Sequence, residues 1–310
     1  MQTIDIIMPV HNRPRILGQA IACLAKQQMP SGWQIHCIVA NDGAVPAIAE
    51  VVRQAGSFAP AWLHVEHLSL PKVGVAAARN QALVSSSSPL VLFAGGDILF
   101  RPNVVALHID FHLQHPEVHN AALGAVKWDP LGYPTAFMEW MVHGGSQNDF
   151  DAILGSAWVD PARYFFASHL SLKRAALPAN PFSVDFTGYG WEDLDLGQQL
   201  VKKGLKLYFL SQAVGLHHHH YGVDDIYARQ EAIGRNFLIF QGRHKLPDAP
   251  RLTSKRKAYL GLFYMSGAAW LLKQLLKKTS ATYSTPYVFN KAIASQFWKG
   301  VWKNKSKKSS

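Results

Sequence analysis

Three groups of residues in this sequence have the types and spacing to do chemistry: an acidic pair at a helix start, polar turns after apolar runs, and a tract of histidines. Glu192-Asp193 opens a helical pattern directly after Gly188-Tyr189-Gly190-Trp191. A carboxylate at a helix N-terminus lies near backbone N–H groups and the positive end of the helix dipole. It therefore stays ionised and oriented at neutral pH, as a general base must. Acids in a first turn also stabilise any helix, so the pair alone is ambiguous. His217–His220 supplies clustered imidazoles at an internal position, where a purification tag is not expected. The plain alternatives are solvent-exposed histidines or an adventitious metal-binding tract.

The elements that must position these groups alternate short apolar runs with helical patterns over the first hundred residues, which predicts a mostly parallel sheet covered by helices. Strands are expected at Ile4–Met8, Ile35–Ala40, Leu63–Glu66 and Leu90–Ala94. Helices are expected at Pro14–Gln27, through Val51, and at the Ala-rich Gly74–Leu83. His11-Asn12-Arg13, Asn41-Asp42-Gly43 and Gly95-Gly96-Asp97 fall at the carboxyl ends of three of these strands, where open sheets of this kind bind ligands. Residues 128–165, with Trp128, Trp140 and Trp158, read as long loops over a site. Beyond them the patterning predicts a regular segment Phe165–Leu172, a helix from Glu192 to Lys203, and a strand Leu205–Leu210. A second strand ending at Leu216 and a helix from Asp224 to Gly242 follow. Pro247 and Pro250 mark a boundary.

Charge divides unevenly along the chain. Residues 1–248 hold 18 Lys and Arg against all 20 Asp and Glu, whereas residues 249–310 hold 13 Lys and Arg and no acid. The nearly neutral body argues against a nucleic-acid-binding face. The tail interleaves its cations with Tyr259, Phe263, Trp270, Trp298 and Trp302, as interfacial membrane segments do. Its longest apolar stretch, Ala258 to Leu272, is shorter than the roughly 20 residues a spanning helix needs. Cys23 and Cys37 form no CxxC motif or disulfide framework, and Met1–Asp5 shows no signal-peptide pattern. A cytoplasmic protein, peripheral on the membrane face, is the expectation.

Four segments in order resemble the family 2 glycosyltransferases. Ile6-Ile7-Met8-Pro9-Val10-His11-Asn12-Arg13 is similar to the family's opening strand and turn, and Ile38-Val39-Ala40-Asn41-Asp42-Gly43-Ala44 to its Asp-Asp-Gly-Ser segment. Gly74-Val75-Ala76-Ala77-Ala78-Arg79-Asn80 is similar to its Ala-Arg-Asn helix start. Gly188-Tyr189-Gly190-Trp191-Glu192-Asp193-Leu194-Asp195 resembles the C-terminal motif of its galactosyl- and N-acetylhexosaminyl-transferring relatives, and Phe166–Leu172 the segment leading into it.

The resemblance implies a GT-A-type α/β fold with a Rossmann-type sheet. It implies transfer from a nucleoside-diphosphate sugar, most simply a UDP sugar, to a glycan or lipid-linked hydroxyl with inversion. By the same resemblance Asp193 is the base and Glu192 binds the acceptor beside it. Pro9, Val10, His11, Asn12, Asn41, Asp42, Arg79 and Gly96 line the nucleotide. Gly190 and Trp191 are the preferred acceptor contacts, since an aromatic face suits a pyranose. The family's Asp-x-Asp appears here as Gly95-Gly96-Asp97, which keeps the metal-binding Asp97 and loses the first acid. Relatives add a histidine after the acidic helix, which His217 matches by spacing. His219 shares its face by strand alternation. Imidazole ligands suit Mn²⁺ better than Mg²⁺, and either divalent metal remains open.

On this reading residues 1–248 form the transferase domain, with a nucleotide-binding half at 1–100 and an acceptor-binding, catalytic half at 101–248. Residues 249–310 form a basic amphipathic extension. Phe182-Ser183-Val184, where many relatives have Phe-Asp-Glu, leaves the acceptor contacts open. Gly95 and Gly96 motivate the alternative of a catalytically impaired relative that binds nucleotide sugars or glycans without turnover. A processive polysaccharide synthase is disfavoured, because the Gln-x-x-Arg-Trp motif and multiple spanning helices are missing from the sequence.

Overall fold

The computed structural model describes residues 1–143, 150–245, 251–279 and 286–307. Two compact units emerge. The first comprises Met1–Gly132, Ala152–Val184 and Glu192–His219, and the second Tyr133–Asp151, Asp185–Trp191 and His220–Ser310. The expected boundary at Pro247 and Pro250 lies outside the described residues.

In the first unit the chain runs through Gln2–Val10 (β1), Pro14–Leu24 (α1), Trp33–Asp42 (β2), Pro46–Ala55 (α2), Leu63–Leu70 (β3) and Val75–Ser85 (α3). Proline at the start of α1 and α2 presets the helical φ where its missing N–H costs nothing. Leu17, Ala20, Ile21 and Leu24 then form one buried stripe on α1. The alanines of α3 let that helix lie close over β1 and β2. Leu90–Ala94 (β4) is buried at every residue, as a central strand covered on both faces should be. Ile98–Phe100 (β5), Val104–Gln114 (α4) and Asn120–Trp128 (β6) follow.

Where long loops were expected over residues 128–165, the described residues hold a helix at Ala136–Val142 (α5), a short strand at Ala157–Val159 (β7) and a helical turn at Pro161–Tyr164 (α6). His169–Lys173 (β8), Glu192–Val201 (α7) and Lys206–His217 (β9) complete the first unit.

The sheet order is β3-β2-β1-β4-β8-β6-β9-β5, with β7 paired on β9. β1 to β4 are mutually parallel, and β8 runs antiparallel to β4 and β6. The order reverses between β1 and β4, which puts a topological switch point at the carboxyl ends of those two strands. The two strands expected between Leu205 and Leu216 are one. Gly124 pairs with Leu210 and the next residue, Ala125, with Val214, so Ser211–Ala213 form a bulge that the ladder spans. Ser156 secures it, its hydroxyl accepting from the Ser211 N–H at 3.1 Å.

The second unit contains α5 and four C-terminal helices, Val223–His244 (α8), Ser254–Met265 (α9), Ala268–Thr279 (α10) and Pro286–Lys307 (α11). One apolar cluster joins Phe137, Met141, Ile226, Leu276 and Phe289, and another joins Phe237, Leu252, Leu260, Trp298 and Val301. The apolar stretch Ala258 to Leu272 is broken at Ser266-Gly267, where Gly267 has φ 78°, and so splits between α9 and α10. No helix among the described residues is long and apolar enough to cross a membrane.

Candidate active site

The switch point carries the first group of expected residues. Val10 ends β1 against Gly96, so closely that a Cβ on Gly96 would lie 2.5 Å from Val10 Cγ2. Any larger residue there must displace Val10. Pro9 precedes Val10, and Asn12 turns the chain with φ 51°, a conformation asparagine tolerates. His11 Nδ1 donates to the Asp42 carbonyl at 2.6 Å, tying the turn after β1 to the end of β2.

Asn41 and Asp42 end β2 buried. Asn41 bonds both ways with the Val45 backbone, and its amide donates to His67 Nε2 at 3.0 Å. Asp42 accepts from Lys72 Nζ at 2.7 Å and from the Val73 and Gly74 N–H groups. Burial raises its pKa, but Lys72 and these N–H groups more than offset that, and the carboxyl titrates below its ordinary value.

Asp97 lies just beyond β4, and β9 delivers the histidines to it. Asp97 Oδ2 is 3.4 Å from His217 Nε2, 3.2 Å from His219 Nδ1 and 3.0 Å from Arg13 Nη1. His219 lies past the end of β9 and turns to the same acid as His217. His218 points elsewhere, its ring on Asp129 at 2.6 Å and its N–H on the Asp97 carbonyl. Trp128 stacks on the His217 ring with centroids 5.0 Å apart. Burial raises the Asp97 pKa, but His217, His219 and Arg13 together hold it well below the carboxylate range.

The donor set suits a divalent cation. One carboxylate and two imidazoles offer ligand atoms all within 4.8 Å of one another, and neighbouring ligands of one octahedral ion sit about 3 Å apart. Arg13 competes for this space, its guanidinium within 2.5 and 2.8 Å of the two ring nitrogens of His219. A neutral imidazole accepts at only one nitrogen, so the arginine sits against this ring rather than bonding it twice.

A second charged group forms where α3 meets the start of α7. Arg79 is almost fully buried, and its Nη1 lies 2.7 Å from Asp193 Oδ1 and 3.5 Å from Glu192 Oε1. Its Nη2 donates to the Ala167 carbonyl at 3.2 Å, and its guanidinium lies 5.0 Å from the centroid of the Phe182 ring. Asp193 Oδ2 accepts from the Ala167 N–H at 2.9 Å. Burial raises the Asp193 pKa above the ordinary carboxylate value, against the opposing pull of Arg79 and that N–H. The Arg79 Nε is buried with no hydrogen-bond partner among the described residues.

Gly190 and Trp191 belong to the second unit, although they adjoin Glu192 in sequence. Gly190 has φ 93°, and a Cβ there would lie 2.9 Å from Ile233 Cγ1. Trp191 itself adopts φ 79°, a costly conformation for a bulky residue, and its indole N–H donates to the Ile233 carbonyl while the ring packs on Phe240. Trp128 is buried, Trp140 packs beside Phe289, and Trp158 is half exposed against Tyr208. Sequence reasoning did not assign Arg13, His67 or Lys72 to the site. Arg13 stood within a quoted turn and Lys72 two residues before Gly74, but their partners lie far away in sequence.

Residues 5–157 match the family model described as glycosyl transferase family 2. Validoxylamine A glucosyltransferase of Streptomyces hygroscopicus subsp. limoneus is 25% identical over 242 residues, 69% of this chain and 51% of that protein. The chain spans about half the length of the curated relatives it first matches. Among solved structures, the mannosyltransferase PcManGT of Pyrobaculum calidifontis, in complex with GDP-Man and Mn²⁺, superposes with TM-score 0.60 at 15% identity, over 97% of this chain and 86% of that one. S. aureus TarS 1–349 in complex with UDP gives 0.54 at 16% identity, over 100% and 92%. The fold is therefore that of the GT-A glycosyltransferases.

Proposed function

We propose, from the premise that this chain belongs to glycosyl transferase family 2, that it moves a sugar from a nucleoside-diphosphate sugar to a hydroxyl of a glycan or lipid-linked acceptor. The observation that carries the reading is the separation of two charged groups in one unit: a cation-binding set at Asp97 and a buried acid, Asp193, at a helix start.

Pro9, Val10, His11, Asn12, Asn41, Asp42 and Gly96 cradle the base and ribose at the switch point, and Arg79 reaches the diphosphate. The unpartnered Arg79 Nε supports that role, since a phosphate oxygen would satisfy it. Asp97, His217 and His219 hold a divalent cation, Mn²⁺ before Mg²⁺ on ligand type. When bound, the cation places positive charge on the leaving diphosphate. Asp193 takes the acceptor proton while the acceptor oxygen attacks the anomeric carbon opposite the diphosphate. The bond to the diphosphate breaks with its electron pair, and the sugar is inverted in a single displacement. Glu192 contacts the acceptor beside Asp193. The raised pKa of Asp193 supports its role as base.

Arg13 favours one variation. Its guanidinium already lies 3.0 Å from Asp97, so it can neutralise the diphosphate without a metal. One experiment tests both: purified protein is screened against UDP and GDP sugars, with and without Mn²⁺, and free nucleoside diphosphate is monitored. Release that needs Mn²⁺ supports the cation, and equal release after chelation, abolished in Arg13→Gln, supports the arginine. No release with any donor overturns the transferase reading.

A further inference from the structure

The helical hairpin α9–α10 has two contrasting faces. Its inner residues Leu260 and Leu276 are buried in the apolar clusters of the second unit. On α9, Tyr259, Leu262 and Met265 recur at helical spacing along the exposed face, and on α10 the adjacent Trp270 and Leu271 are exposed, with Leu275 one turn after Leu271. Met265 is 88% exposed, Leu262 71% and Trp270 66%. Large apolar side chains exposed together on a folded protein mark a contact surface.

The charges around this face identify the partner. Leu262, Met265, Trp270 and Leu271 flank the Ser266-Gly267 turn, while exposed Lys255 and Lys257 lie at the far end of α9 and exposed Lys278 at the far end of α10. Residues 249–310 contain no acid at all. Part of the positive charge is used internally, since Lys273 and Lys277 meet Asp224 and Lys299 and Lys303 meet Glu231. The apolar turn and the lysines behind it still present the profile of an interfacial segment: apolar groups at acyl depth, ammonium groups at headgroup level.

We propose that the α9–α10 hairpin is a monotopic wedge that docks this protein on an anionic phospholipid surface, with Leu262, Met265, Trp270 and Leu271 entering the bilayer boundary. The argument uses the second unit alone and stands whether or not Asp193 is the base.

The test uses the full chain and vesicles of phosphatidylcholine alone or mixed with phosphatidylglycerol, read by flotation. The intact protein is expected to float with the anionic vesicles, to be released by salt only in part, and to remain free of pure phosphatidylcholine. Leu262→Gln with Leu271→Gln should weaken vesicle binding by about tenfold or more, since each leucine forgoes its burial. Acyl chains carrying bromine should quench tryptophan emission, and Trp270→Phe should remove most of that quenching. An unchanged circular dichroism spectrum and melting temperature show that the variants fold. Wild-type protein left in solution, or a double variant that floats as well as wild type, overturns the proposal. So does a protein dimer that the double variant dissolves, because the face would then be an interface between copies.

Discussion

Asp193 and Asp97 are the same side chain in one structural unit, and their surroundings push them in opposite directions. Asp193 is buried at a helix start with one guanidinium and one N–H for company, and burial dominates, so its proton affinity rises. Asp97 is faced by Arg13, His217 and His219 together, and their charge and hydrogen bonds outweigh its burial. On the proposed function the comparison amounts to a division of labour. A carboxyl that readily takes a proton suits a base, and one that resists protonation down to low pH suits a permanent anionic ligand.

The sharpest way to break the comparison is Asp193→Asn. It should lower kcat by about 10³-fold while leaving donor affinity near wild type, because a general base contributes roughly 10²–10⁴-fold. Isothermal titration with UDP and a turnover assay read the two effects separately. The wild-type profile of kcat/KM should fall as pH drops through the raised Asp193 pKa, since the base works only when ionised. A profile flat well into the acid range would put the base elsewhere.

Asp97→Ala should cost less, about 10²-fold in activity, and should abolish the response to Mn²⁺. A variant still activated by Mn²⁺ at wild-type concentrations would remove Asp97 from the cation site. The smallest effect is expected at Gly96→Ala, where the new methyl meets Val10 at the switch point. It should raise the donor KM by about tenfold and lower the melting temperature, as overpacking of about 1–3 kcal/mol would. Adding Val10→Ala should restore part of both.

What could be read beforehand follows the same physical lines. β1, β2 and β4 were visible because strands covered on both faces become nearly continuous apolar runs, and their polar ends announce the turns. β5, α4 and β6 were not anticipated. β6 is built largely from small residues, in Asn120-Ala121-Ala122-Leu123-Gly124-Ala125, whose weak hydropathy contrast hides a strand that burial alone maintains. β9 was divided in two because Ser211-Gln212 looks like a break, and only the ladder shows that it is a bulge. Asp193, Asp97 and His217 were singled out by the resemblance to the family's motifs, and His219 by strand alternation. Arg13 beside His219 and Lys72 beside Asp42 join residues 206 and 30 positions apart, and no local pattern encodes such meetings.

The bulge at Ser211–Ala213 gives β9 three residues that β6 does not match. An odd number reverses the parity of every residue beyond it, because a strand counts its faces in twos. Beyond that detour the pairing of His217 with Trp128 on one side and Ile98 on the other holds its ring toward Asp97. A deletion within the detour should therefore leave His217 on Asp97 as long as those two pairs hold.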